Sequence, residues 1–117
     1  MKRAGFSKAE RLVRSAAIQT VFKKGRKFGC EGAKLFVLGN GTDRNRVAFT
    51  FPRGYGTAVS RNRSRRLSRE TYRLMKTRLI TGNDLVFLVF PGYDDFRVRE
   101  RQLSALCARA GLWSSPS

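Results

Sequence analysis

With 117 residues, 41% of them hydrophobic, the chain is long enough for one compact core, and we predict a single domain over residues 1–117. It carries 25 Lys and Arg against 8 Asp and Glu, a net charge of +17 that favours a polyanionic partner, because each neutralised phosphate releases condensed counterions. The longest apolar run, 85–90, is too short to span a membrane and the first fifteen residues lack a signal-peptide core, so we expect a cytoplasmic protein without a membrane partner.

The first half of the chain predicts a basic arm, a short helix and two strands. The arm covers about residues 1–14, is ordered only near its end, and contains Lys2, Arg3, Lys8, Arg11 and Arg14. The helix covers 15–24, with Ser15 as its N-cap and Gly25 as its stop, and its apolar stripe is Ile18, Val21 and Phe22. Strand patterns follow at 33–39 and 46–51, and the turn residues 40–43 between them predict an antiparallel hairpin.

The second half predicts a long helix, a buried strand and a last helix. A glycine-containing loop at 52–56 leads into a helical pattern over 57–80, which ends near Gly82. A wholly apolar strand covers 85–90, a helix covers about 99–110, and residues 113–117 are expected to fray. The resulting order predicts an α+β two-layer sandwich, in which the strands on either side of the long helix could pair in parallel.

The helix predicted over 57–80, called the arginine-rich helix below, holds five arginines within ten residues. Its docking face is predicted to contain Leu67, Thr71, Leu74 and Met75. Its other face presents Arg61, Asn62, Arg65, Arg66, Arg69 and Arg73, with Arg63 at the border. Like charges one turn apart destabilise a helix, whereas guanidinium groups bind phosphate oxygens in pairs. We therefore predict a polyanion-binding helix, the alternative being an ordinary solvated face.

The sequence offers little for catalysis by the protein itself. It contains no histidine, and the adjacent Asp94 and Asp95 fall short of the converging carboxylates that a two-metal nuclease needs. Cys30 and Cys107 lack paired spacing and cannot complete a zinc site, so we predict two unpaired thiols. We predict no catalytic residue and no metal site in the protein.

The segment Arg61-Asn62-Arg63, continued by Ser-Arg-Arg-Leu-Ser-Arg-Glu over 64–70, resembles the RNR signature of the bacterial ribonuclease P protein family. The likeness runs in order over about residues 11–112. Its other matching segments are 11–12, 21–25, 46–51, 56–59, 84–88 and 91–92. The resemblance implies a central mixed sheet with three helices and a left-handed βαβ crossover through the arginine-rich helix, although right-handed crossovers are the general rule.

The resemblance also implies an accessory subunit of an endoribonuclease whose RNA performs catalysis. The expected partners are the ribonuclease P RNA subunit and precursor tRNA, with no obligate protein partner and with Mg2+ held mainly by RNA and substrate. The implied contacts to the RNA subunit are Arg53, Arg61, Asn62, Arg63, Arg65, Arg66, Arg69 and Arg73. The implied cleft for the 5′ leader, between the first helix and the sheet, contains Arg14, Ile18, Phe22, Phe49 and Phe51, whose rings could instead belong to the core.

Three positions depart from the family pattern. Ile18 stands where a second aromatic residue is usual, the loop at Arg53 keeps one of two cations, and Phe90 replaces a basic residue.

Two other functions are compatible with the positive charge of the chain. A ribosomal or other RNA-binding protein would co-sediment with ribosomal particles and would not assist leader cleavage. A DNA-binding protein would prefer duplex DNA to folded RNA.

Overall fold

A computed structural model of the chain describes residues 8–114, which form a four-stranded sheet and three α-helices. The helices are α1 (Ser15–Lys24), α2 (Ala58–Met75) and α3 (Phe96–Arg109). The strands are β1 (Arg26–Cys30), β2 (Ala33–Gly39), β3 (Arg46–Thr50) and β4 (Asn83–Val89). Short 3-10 turns lie at Lys8–Glu10 and Lys76–Arg78. In this described part no helix is both long and apolar enough to cross a bilayer.

The strand order is β1-β2-β4-β3, with β1–β2 and β2–β4 antiparallel and β3–β4 parallel. The parallel pair around the arginine-rich helix is therefore confirmed, and the left hand of its crossover stays a prediction. The predicted hairpin between 33–39 and 46–51 is wrong, because β4 lies between those two strands. The hairpin partner of β2 is β1, a strand that the prediction missed because its Arg-Lys-Phe-Gly-Cys sequence has little apolar alternation.

The predicted α+β domain with a central mixed sheet and three helices is confirmed. Helices cover both faces of this sheet, so a helix layer lies on each side of it where one layer was predicted. One face packs against α2 and α3 through a large core whose strand residues include Leu35, Val37, Val47, Phe49, Leu85 and Phe87. The other face packs against α1 through a smaller cluster that contains Leu12, Val21, Phe36 and Val86. The alternation of buried residues along each strand explains why both faces are apolar.

The arginine-rich helix, α2, is shorter than predicted and rotated about its axis. It begins after Thr57, whose hydroxyl accepts a hydrogen bond from the Ser60 amide at 3.1 Å, and ends at Met75. Its buried residues are Ser64, Ser68, Thr71, Tyr72 and Met75. Leu74, predicted to dock, is 52% exposed. The buried face differs from the predicted one because Ser64 and Ser68 accept hydrogen bonds from a buried arginine, Arg99. A pattern of apolar residues cannot indicate a polar contact of this kind.

The two ends of α1 lie where predicted, but for other reasons. Ser15 is its first residue, the N-cap position is Arg14, and no side chain caps the helix there. Gly25 ends it with an extended φ of −75°. A Cβ at Gly25 would lie 2.6 Å from the Val21 carbonyl oxygen and 2.9 Å from that of Val37, so close backbone approach requires the glycine.

The segments at both ends of the described residues pack against the rest of the domain. Arg11 forms a parallel bridge with Val47, and Leu12 is 4% exposed, so the arm docks on the sheet from residue 8 onward. At the other end Trp113 bridges Leu79, which contradicts the predicted fraying there. Lys2 and Arg3 of the arm, and residues 115–117 of the tail, lie outside the described residues. At its start α3 extends back to Phe96, because Asp95 caps the amides of residues 97 and 98.

Candidate RNA interface

The cations of α2 spread from the solvent side to a flank that faces the sheet. Arg63 and Arg66 are exposed, and Arg53 is exposed in the preceding loop. Half-buried members are Arg61, Arg65, Arg69 and Arg73, and Asn62 is exposed beside them. The predicted set therefore shares one helix and its entry loop, with side chains directed over a broad arc. Such an arc presents donors to several phosphate groups at once.

Hydrogen bonds already orient part of this set. Arg61 donates to the Gly56 carbonyl at 3.1 Å, and Arg65 donates to the Asn62 side-chain oxygen at 3.2 Å. Arg73 forms a two-point ion pair with Glu70, with N–O distances of 3.1 and 2.6 Å, and this pairing lowers the pKa of Glu70. Because its charge is offset by Glu70, Arg73 is the weakest candidate of the set.

A groove of about 240 Å³ joins the arm, α1, β3 and α2. Its cationic lining residues are Arg11, Arg65 and Arg69, and Ile18 lies on its apolar side. Partial burial, followed by the charges of Arg11 and Arg65, lowers the pKa of Arg69. Among residues 8–114, no hydrogen-bond partner lies near the buried Nε of Arg11. Concentrated positive charge and an unsatisfied donor make this groove suitable for a phosphate oxygen.

The three predicted cleft phenylalanines divide between the two faces of the sheet. Phe22 lies on the α1 face, half-buried, with its ring edge-to-face on Phe36 at 4.8 Å between centroids. Phe49 and Phe51 pack with the large core on the opposite face, away from Phe22, although Phe49 also lines the groove that Ile18 borders. Phe49 is 7% exposed and stacks on Phe87 at 5.2 Å, which leaves no free ring face for a base.

Phe51 instead contacts the arginine-rich helix. The guanidinium carbon of Arg65 lies 5.0 Å from the Phe51 ring centroid, a cation–π arrangement. The same ring packs edge-to-face against Tyr55 at 5.0 Å. Phe51 thus helps to hold the Arg65 side chain in place.

On the α1 face, Ile18 accompanies Phe22, and Arg14 is exposed at the N-cap of α1. The strands add a row of residues on this face that sequence reasoning missed. Lys34, Leu88 and Thr50 are neighbours across three strands, and all three are partly exposed. The Lys34 ammonium lies 5.9 Å from the Phe90 ring centroid. Lys34 is two residues from Phe36 in the same strand, so the sequence could have placed it on this face. Its neighbours Leu88 and Thr50 could not be predicted, because they depend on the strand order.

The acidic and thiol groups serve the fold. Asp94 binds Arg99 and Asp95 caps α3, so neither is free for catalysis. Within residues 8–114 no group of three or more His, Cys, Asp or Glu could hold a metal ion. Cys30 and Cys107 are both unpaired thiols, and burial raises the pKa of each.

Known proteins resemble the chain in sequence and in fold. Residues 6–111 match a family model described as Ribonuclease P. The ribonuclease P protein component of Alkaliphilus metalliredigens is 28% identical over 96 residues, which cover 82% of this chain and 86% of that relative.

Two solved structures share the fold. The RNase P protein of Staphylococcus aureus superposes with a TM-score of 0.81 at 21% identity, covering 91% of this chain and 99% of that one. The RNase P protein of Thermotoga maritima superposes with a TM-score of 0.77 at 27% identity, covering 86% and 96%. The family match includes all four strands and the whole of α2.

Proposed function

The chain belongs to the bacterial ribonuclease P protein component family, and on that basis we propose that it binds the RNA subunit of ribonuclease P together with the 5′ leader of precursor tRNA. Family membership makes it a protein subunit of an endoribonuclease. The two RNA contacts are our proposal, and they use two neighbouring surfaces: the α2 arginines for the RNA subunit and the α1 face for the leader.

The groove between α1 and α2 is the observation that carries this proposal. Arg65 and Arg69 reach it from α2, Arg11 reaches it from the arm, and Ile18 reaches it from α1. A continuous cationic path therefore connects the exposed arginines of α2 with the apolar α1 face. Two RNA segments that converge there would otherwise repel each other, and the three guanidinium groups would screen that repulsion.

The α1 face suits a single strand without base pairing. Phe22 offers a half-exposed ring, Ile18 and Leu88 offer apolar contact, and Lys34 offers a charge for the backbone. Stacking on an aromatic side chain accepts any base, and cations along such a groove follow the phosphates. This combination supports binding of a leader with little dependence on its sequence.

Catalysis in this proposal belongs to the RNA. We expect Mg2+ to be held mainly by the RNA subunit and the substrate, because RNA phosphates supply the oxygen ligands that this ion prefers. The protein contributes binding and charge screening, which lower the magnesium concentration that the RNA needs.

Reconstitution tests the proposal. The protein is added to a bacterial ribonuclease P RNA at low magnesium, and leader removal from precursor tRNA is measured. We expect strong stimulation, and a substrate with a leader of a single nucleotide should benefit much less. No stimulation of either substrate would contradict the proposal, and equal stimulation of both would contradict leader binding.

A further inference from the structure

Arg99 of α3 is a fully buried arginine on the inner side of the arginine-rich helix. Its side chain is 0% exposed. The Nε donates to the Gln102 side-chain oxygen at 2.9 Å, and the Nη2 donates to Asp94 at 2.9 Å and to the Tyr93 carbonyl at 3.2 Å. The Nη1 donates to the hydroxyls of Ser64 and Ser68. All three guanidinium nitrogens are therefore bonded, and two of the acceptors are on α2.

The two serines are a direct connection from Arg99 to the RNA-facing side of α2. Ser64 and Ser68 are one helical turn apart, and both are 0% exposed. Each precedes an arginine of the groove, Arg65 or Arg69. A bond from one guanidinium nitrogen to both hydroxyls fixes the rotation of α2 about its axis and its position along it. Rotation of the helix would move Arg65 and Arg69 out of the groove.

A second connection reaches Arg65 through side chains. Asp94, held by Arg99, accepts a hydrogen bond from the Tyr55 hydroxyl at 3.2 Å. Tyr55 packs edge-to-face on Phe51, and Phe51 lies under the Arg65 guanidinium. The same buried arginine therefore supports both the backbone of α2 and one of its RNA-facing side chains.

Stability alone gives a weak reason for this arrangement. Burying a guanidinium costs solvation free energy, and apolar residues of similar volume often give an equally stable or more stable interface. Apolar contact, however, specifies the rotation of a helix poorly, whereas directional hydrogen bonds specify it well. The hydrogen bonds from Arg99 to the two serines thus replace apolar contact between α3 and α2, and they fix the orientation of α2.

We propose that Arg99 is a positioning residue, which orients the arginine-rich helix so that Arg65 and Arg69 meet RNA phosphates. The inference rests on the proposed function, since the orientation matters through the RNA contacts. It assigns to α3, which carries none of the predicted RNA contacts, a role in RNA affinity.

The test removes the polar contact between α3 and α2 and leaves the exposed arginines of α2 intact. The main variant combines Arg99→Met, Ser64→Ala and Ser68→Ala, so that no serine is left facing an apolar side chain. Arg97→Met is the matched control, because Arg97 is exposed on the same helix and its loss changes the net charge equally. Arg99→Lys, which keeps the charge but lacks the fork, is a second variant with less disturbance of packing. Unfolding in urea identifies conditions in which each protein is fully folded.

The decisive measurements are affinity for the ribonuclease P RNA over a salt series and the NMR signal of the Arg65 Nε–H, which the Phe51 ring shifts. We expect the triple variant relative to Arg97→Met, and Arg99→Lys relative to the unaltered protein, to bind RNA about tenfold more weakly and to lose about one unit of salt slope when fully folded. We also expect the Arg65 signal to move toward its unshifted value. Control-like affinity, slope and Arg65 signal in a folded Arg99 variant would overturn the inference.

The two proposals fail separately. If the unaltered protein does not bind the RNA subunit, the proposed function fails, and the Arg65 signal without RNA still tests the positioning. If the unaltered protein binds and the folded Arg99 variants bind as their controls do, only the positioning role fails.

Discussion

Phe22 and Phe49 are the same residue type in opposite surroundings. Phe22 lies at the open edge of the smaller cluster and keeps part of its ring exposed, whereas Phe49 is enclosed between Phe87 and Tyr72. The sequence places both in apolar patterns and cannot tell them apart. The distinction follows from which face of the sheet each ring occupies, because a ring can bind a nucleotide only where one of its faces is accessible.

We predict that the two alanine substitutions separate substrate affinity from stability. Phe22→Ala should weaken binding of precursor tRNA to the reconstituted enzyme by about 1–3 kcal/mol, because the base no longer has a ring to stack on. Phe49→Ala should instead cost about 3–5 kcal/mol of unfolding free energy, because it leaves a cavity in the main core. Binding titrations with full-length and single-nucleotide leaders and urea unfolding measure the two effects. An equal drop in affinity with both leaders would contradict the place of Phe22 in the leader cleft.

At the scale of elements, α2 has a charged exposed surface and a buried side that is partly polar. Its arginine content is readable in the sequence, but its rotation depends on Arg99, which is contributed by α3. The groove residues Arg65 and Arg69 lie on the flank toward β3 because Ser64 and Ser68 face α3. A different rotation would leave the same net charge with a different phosphate geometry.

We predict that charge reversal on α2 is more harmful than equal reversal elsewhere. Arg65→Glu with Arg69→Glu should weaken RNA-subunit binding by at least about tenfold and lower the salt slope by about two, one for each phosphate that the arginines no longer neutralise. Arg97→Glu with Arg101→Glu is the control, since both arginines are exposed on α3 and the net charge changes equally. Affinity measured from low to moderate salt distinguishes the pairs. A similar weakening in both would mean that RNA responds to total charge alone.

Over the whole molecule, the sequence has a net charge of +17, and the part of the chain that the structure describes has a radius of gyration of 13.4 Å. Self-repulsion at that density opposes folding, and the core on the α2–α3 side must offset it. Cys107 lies at the centre of that core and is 0% exposed. Its burial raises the pKa of the thiol from 9.0 to about 12.

From the raised pKa of the Cys107 thiol, we predict that the unfolding free energy depends on pH. Between pH 9 and about 12 the folded state keeps a proton that the unfolded chain releases, so unfolding becomes easier as pH rises through that window. The decrease in stability should approach roughly 1.4 kcal/mol for each pH unit within the window. Urea unfolding at pH 8 and pH 10 measures it, with Cys107→Ala as the control that lacks the titrating group. The same pH dependence in both proteins would refute the assignment.

Several features follow from the sequence without any coordinates. The charge, the helical spacing of the arginines in α2, the apolar run of β4 and the motif segments all depend on residues close together in the chain. Local features of this kind survive folding, because helix propensity and turn chemistry act over a few residues. The family, the arginine-rich helix and the strand β4 were predictable for that reason.

Other features depend on contacts between residues far apart in the chain. The strand order put β4 between β2 and β3, and β1 gained its place from pairing with β2 despite a weak pattern of its own. The burial of Arg99, Ser64 and Ser68 depends on the packing of α3 against α2, and Phe49 and Phe51 pack with the core on that same side of the sheet. A side chain is buried only when another element packs against it, and strand pairing and helix packing between distant parts of the chain decide which element that is.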